Sequence, residues 1–202
     1  MNECLLCEQS IAAIPSWQAL LGLEKQTNIC RDCSKKFQRA DNKEECEILD
    51  QVTSLYTYNE AMRDYLHQFK FLQDVRLAEV FADELRNSLI GDAMIVPIPM
   101  HPEKKIQRTF AHVDELLKSA RIPYTHLLEK IDTEAMGEKS KAQRLAMKPL
   151  FTVKMGTTIQ PGTYILVDDI YTTGTTLRHA ATVLKEAGAT RVKAITLIRA
   201  ER

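Results

Sequence analysis

"ILVDDIYTTGTT", residues 165–176, runs an apolar stretch into two adjacent carboxylates and then into hydroxyls grouped around one glycine. Ile165, Leu166 and Val167 are what a central parallel strand covered on both faces requires. Leu177, Ala180, Ala181 and Leu184 follow at helical spacing, with Gly188 as the stop. Such a strand–loop–helix unit belongs to an α/β fold, whose ligands sit at the carboxyl ends of the strands. Asp168 and Asp169 stand at that edge. Thr172, Thr173, Gly174, Thr175 and Thr176 then offer backbone N–H groups, hydroxyl donors and the positive end of a helix dipole, which together cradle phosphate. The lysine of a GxxxxGK[ST] loop is missing, so a monophosphate terminus fits better than a nucleoside triphosphate. Two carboxylates beside the cradle suit a vicinal diol or a hydrated Mg2+. Phosphate next to a diol describes a ribose 5-phosphate. A surface turn with threonine caps accounts for one or two of these residues but not for the whole order.

The same rhythm extends outward. "AMIVPIP" (93–99), "IPYTHLLEKI" (122–131), "TYILVD" (163–168) and "RVKAITLI" (191–198) read as strands of a parallel sheet. Val113, Leu116, Leu117 and Ala120 mark a helix after the first. Upstream, "VTSLYTYN" (52–59) is a further strand, and Asn59 can cap a helix whose Met62, Tyr65, Leu66 and Phe69 share one face. Leu77, Val80, Phe81 and Leu85 mark another helix, closed by Gly91. The charged stretch 35–51 reads as a connector. The chain therefore divides into a small module at 1–45 and an α/β domain at 52–202.

The chain has 202 residues, 45% of them hydrophobic, enough for a core without crosslinks. Lys plus Arg and Asp plus Glu number 27 each, so the whole molecule exerts no electrostatic pull toward nucleic acid or acidic membrane. No stretch approaches a membrane span, and "MNECLLCEQS" has neither the basic start nor the apolar region of a secretion signal. A cytoplasmic setting is expected, without membrane insertion. There disulfides are disfavoured, and the paired cysteines "CLLC" (Cys4, Cys7) and "CRDC" (Cys30, Cys33) read as four zinc ligands. Two residues between thiols form a tight turn that lets both sulfurs reach one ion. Two such turns close a tetrahedral S4 site, which is structural because no position stays open. A thioredoxin-type redox site is the rival, but it carries one such pair, not two. Cys46 has no partner at matching spacing and reads as a buried or idle thiol. Trp17 is expected to pack over the metal site, with stacking on a nucleobase as the alternative.

"VDDIYTTGTT" resembles the PRPP-binding motif of type I phosphoribosyltransferases. Together with "CLLC…CRDC", "YN" (58–59), "FKF" (69–71), "VPIP" (96–99) and "RTF" (108–110), it resembles the ComF-type competence proteins, which join a four-cysteine zinc ribbon to a phosphoribosyltransferase domain. The resemblance implies a type I phosphoribosyltransferase-like parallel sheet flanked by helices. It also implies structural Zn2+ on Cys4, Cys7, Cys30 and Cys33, and Mg2+ entering with PRPP. Asp168 and Asp169 would hold the ribose hydroxyls and the metal-bound pyrophosphate side, stabilising developing positive charge if transfer occurs. Thr172, Thr173, Gly174, Thr175 and Thr176 would hold the 5-phosphate. Lys104, Lys105 and Arg108 would face pyrophosphate. Where the family reads RGFN this chain has "RTFA" (108–111), a departure that touches catalysis more than binding.

The resemblance further implies a role in uptake of single-stranded DNA during natural transformation, beside a ComFA-type helicase or translocase ATPase. Active phosphoribosyl transfer to an unidentified acceptor is the alternative. A related protein of sugar-acid utilisation is a third. Residues 139–154 carry Lys139, Lys141, Arg144, Lys148 and Lys154 with no acid, which suits either single-stranded DNA phosphates or a solvated loop.

Overall fold

The structure is a computed structural model that describes residues 2–11, 17, 28–40, 43–44, 48–100, 109–131 and 150–200. It opens with an antiparallel pair, β1 (Asn2–Glu3) and β2 (Ser10–Ile11), and the short helix α1 (Arg31–Lys35). Strand β3 (Lys43–Glu44) pairs antiparallel with β4 (Gln51–Thr57). Helix α2 (Glu60–Lys70), a 3-10 segment (Val75–Phe81) and α3 (Ala82–Ser88) lead to β5 (Met94–Pro97). Helix α4 (His112–Ser119) and the short strands β6 (Leu128–Lys130) and β7 (Phe151–Val153) precede β8 (Thr163–Tyr171), α5 (Thr175–Glu186) and β9 (Arg191–Arg199).

The main sheet has the order β3-β4-β9-β8-β5, and every contact in it except β3–β4 is parallel. This is the parallel sheet expected from the sequence. Strand neighbours point to opposite faces, and each face has its own core. Ile165, Val167, Ile195 and Leu197 pack with α2, the 3-10 segment and α4 through Met62, Tyr65, Phe69, Leu77, Phe81, Leu116 and Leu117. Tyr164, Leu166, Val192 and Ala194 pack with α5 through Leu177, Ala180, Ala181 and Leu184. Full burial of one leucine contributes roughly 1.5–3 kcal/mol, so the apolar stripe of α5 alone ties it firmly to the sheet. Asn59 caps α2 as expected, its Oδ1 accepting the Met62 N–H at 3.0 Å.

Two expectations need correction, and a third gains detail. The segment 122–131 is not a strand of the parallel sheet. Only Leu128–Lys130 is extended, paired antiparallel with Phe151–Val153, and Thr125 N–H donates to Ile95 O at 2.9 Å along the edge of the main sheet. Helix α3 ends at Ser88, three residues before Gly91. The charged stretch 35–51, read as a connector, is docked at its described residues. Phe37 packs against the α2-side core, Leu49 is fully buried in the other, and β3 adds to the sheet edge. Its few apolar residues are enough to dock it.

Candidate ligand site and cysteine cluster

The carboxyl end of β8 is built by unequal strand lengths. The last register pair between β5 and β8 is Pro97 with Val167, and Ile98 N–H donates to Val167 O at 2.9 Å. Beyond it, Asp168 to Tyr171 project past β5 while β9 still flanks them through Arg199. The acids thus lie inside the strand rather than at its last residue, on a ledge that extends beyond the last β5 pair. Asp168 lies in register with Thr196 of β9, which lies in register with Ser54 of β4. Ser54 and Thr196 share a buried hydroxyl–hydroxyl hydrogen bond of 2.8 Å, so a polar row crosses the sheet beneath the ledge.

Adjacent strand residues face opposite ways, and the two acids do. Asp169 turns to the α2 side, where the last residue of that helix, Lys70, forms an ion pair with its Oδ2. Tyr65 lies one turn earlier, fully buried, its hydroxyl donating to Leu77 O at 3.2 Å. Burial pushes the Tyr65 phenol up, and the Asp169 charge adds to it. Asp168 turns to the α5 side and accepts the Asp169 N–H on Oδ1 at 2.9 Å. Burial pushes its carboxyl well above the usual carboxylate range, and the Asp169 charge pushes further. The Asp169 N–H and the ammonium groups of Lys70 and Lys130 oppose that shift. The pair therefore straddles the sheet edge with a lysine charge near it from each of two other elements.

The loop after β8 fits an anion. Gly174 is left-handed (φ 72°, ψ 2°) and caps α5 with no side-chain acceptor of its own. Apart from a long 3.5 Å bond from Thr175 N–H to Thr173 Oγ1, the first N–H groups of this twelve-residue helix have no helical partner and can meet a ligand. Thr172 and Thr173 are exposed, and the Thr173 and Thr175 hydroxyls meet at 2.9 Å. Arg178 folds back over the loop and donates from Nη2 to Thr173 O at 2.7 Å. The glycine has a second reason besides anion approach. A Cβ on it would lie 2.5 Å from Tyr171 Oη and 2.9 Å from Arg178 Nη1.

Sequence reasoning missed Lys70 and Arg178. Lys70 is four residues from Leu66 and adjacent to Phe69, on the border of the buried stripe rather than opposite it, and that was the available signal. Lys104, Lys105 and Arg108 lie outside the described residues, as do Cys46 and Lys139, Lys141, Arg144 and Lys148 of the basic segment.

The cysteines converge. The Sγ atoms of Cys4, Cys7, Cys30 and Cys33 all lie within 4.8 Å of one another, and those of Cys7 and Cys30 are 3.8 Å apart. Zinc–sulfur bonds of about 2.3 Å in a tetrahedron set sulfurs about 3.8 Å apart, so the donor set fits a closed metal site. Cys30 N–H donates to Cys4 Sγ at 3.3 Å and Cys33 N–H to Cys30 Sγ at 3.4 Å. Burial raises the Cys4 thiol, but the N–H groups of Cys30, Leu6 and Cys7 outweigh it and bring the group down to about 6. Trp17 does not pack over this cluster, being 82% exposed.

A parallel sheet with an acid-bearing strand running through a hydroxyl–glycine loop into a helix defines a phosphoribosyltransferase-type domain. Residues 110–202 match the phosphoribosyl transferase domain family. Competence protein ComFC of Streptococcus pneumoniae (strain ATCC BAA-255 / R6) is 33% identical over 98% of this chain and 100% of its own length. Competence protein ComFC of Bacillus subtilis (strain 168) is 29% identical over 97% of this chain and 94% of its own. The chain belongs to the ComFC family of competence proteins. A hypoxanthine phosphoribosyltransferase from Staphylococcus aureus overlays with a TM-score of 0.37 at 14% identity over 62% of each chain, a likeness too loose to add to the sequence match. No helix among the described residues is long and apolar enough to cross a membrane.

Proposed function

We propose that this chain is a cytoplasmic competence accessory protein that works in single-stranded DNA uptake beside a ComFA-type helicase or translocase. In this reading it binds PRPP, or a related ribose phosphate, together with Mg2+ at the β8–α5 ledge, and Zn2+ holds its cysteine module. The observation that carries the pocket reading is the ledge itself. Asp168 and Asp169 project past β5, and the chain passes at once through a left-handed Gly174 into the N-terminus of α5. The 5-phosphate would take the helix N–H groups and the Thr172, Thr173, Thr175 and Thr176 hydroxyls. The two acids would accept from the ribose hydroxyls, where bound Mg2+ supplies countercharge to the diphosphate. Zinc is supported by the donor set, four thiols with sulfur separations near those of a tetrahedral site.

Calorimetric titration of the full chain with PRPP, with and without Mg2+, tests the pocket. Saturable binding, lost when Asp168 and Asp169 are both changed to Asn, is the expected result. Absence of binding by the wild type rejects it. Release of pyrophosphate on adding candidate acceptors would place the protein among active transferases. Co-purification with the cognate helicase, with and without PRPP, tests the partnership.

A further inference from the structure

Lys70 closes α2 at the border of that helix's buried stripe. Its ammonium contacts Asp169 Oδ2, and the two side chains are only 13% and 15% exposed. At that burial an ion pair is screened far less than on the surface. Lys130 adds a second positive charge near Asp168. Among the described residues, the ammonium groups of Lys70 and Lys130 offset the negative charge of the acid pair. A free divalent cation gains little there, because it must displace or sit beside Lys70 to reach Asp169.

We infer that Lys70 is the resident counter-ion of Asp169, excluding free divalent cations from the acid pair. The consequence rests on the sugar-phosphate reading above: the diphosphate of such a ligand would offer Lys70 an alternative anionic partner and so free Asp169 for the ligand. The geometry supports this because Lys70 arrives from a helix fixed by Tyr65 and Phe69, both 1% exposed. The ammonium is therefore held at Asp169 rather than sampling solvent. A lysine free to leave would exclude nothing.

Manganese is the probe, with its bound fraction read by electron paramagnetic resonance on the full chain and no phosphate ligand present. Wild type is expected to bind it weakly, and Lys70→Met at least about tenfold more tightly, since one repulsive charge within a few ångströms is removed. Lys70→Arg keeps the charge and should stay near wild type. Adding Asp169→Asn to Lys70→Met should abolish the gain, which assigns the new binding to this acid. A purely structural ion pair would lower stability without changing metal affinity, so equal affinities in wild type and Lys70→Met overturn the inference. If Lys70→Met does not fold, judged by circular dichroism, Lys70→Gln replaces it. Tight Asp169-dependent manganese binding by the wild type overturns the inference without any variant. Ribose 5-phosphate, titrated separately without metal, reports on the sugar-phosphate reading alone. Its failure to bind would reject that reading and leave the manganese comparison to judge Lys70.

Discussion

The Phe37 ring meets Phe81 edge-on at a centroid distance of 5.1 Å, joining the cysteine-bearing end of the chain to the core beside the sheet. Phe37 also contacts Tyr56 and Tyr65. The contact explains why residues just past the second cysteine pair are fixed although their composition is mostly charged. Phe37→Ala should lower stability by about 1–3 kcal/mol, below the range for a fully buried ring because Phe37 is only half-buried. Urea unfolding measures the loss, and metal content should not change. A variant as stable as wild type would show that the ring contact carries no energy.

The same docking alters what metal loss should do. Leu5 and Leu6, between the first two cysteines, pack against the α2-side core, and Asn28 Nδ2 reaches Glu79 at 3.1 Å. Cys30→Ser should release the metal and lower the unfolding midpoint of the whole chain, not merely free the module. Metal analysis with thermal unfolding checks both parts. Full zinc retention without Cys30 would reject the four-thiolate site.

Asp168 gives a pH dependence with a definite sign. Burial, helped by the Asp169 charge, pushes its carboxyl up to about 7 in the folded chain, whereas an unfolded aspartate titrates near 3.9. Between those values the folded state holds a proton that the unfolded state has released, so this group's contribution to stability is lost as pH rises from about 4 through 7. Asp168→Asn should flatten that slope and be more stable than wild type at pH 8 by at least about 1 kcal/mol. Denaturation midpoints across pH 5 to 8 decide it. Parallel curves for the two proteins would mean the carboxylate is not strained by burial.

Much of this was legible because it is local. Leu177, Ala180, Ala181 and Leu184 declare α5 by spacing alone, and all four are buried. Asn59 declares its cap in the same way. The segment 122–131 was misread because its apolar composition suits a strand while its partner, Phe151–Val153, comes from far along the chain. The place of Lys70 at the border of the buried stripe signals partial burial, but its contact with Asp169 exists only once α2 packs on the sheet. Trp17 had no local signal separating a packed ring from an exposed one.

The last prediction concerns Gly174, where two causes are entangled. The sequence suggests glycine for close phosphate approach, so that any side chain would block the ligand. The structure supplies a cause internal to the protein. At φ 72° an L side chain is strained, typically by roughly 1–2 kcal/mol. Its Cβ would also lie 2.5 Å from Tyr171 Oη and 2.8 Å from Tyr171 Cζ, in a ring that is buried. Gly174→Ala should therefore destabilise the chain by at least about 1 kcal/mol even with no ligand present. Tyr171→Phe removes the closest contact, so it should recover part of the loss when combined with Gly174→Ala, giving a non-zero coupling in a double-mutant cycle. Urea unfolding of the four proteins measures that coupling, and ribose 5-phosphate titration of the same set reads the ligand side. Strict additivity of the two changes would mean that Tyr171 yields freely. Gly174 would then be explained by its backbone angle and the ligand alone.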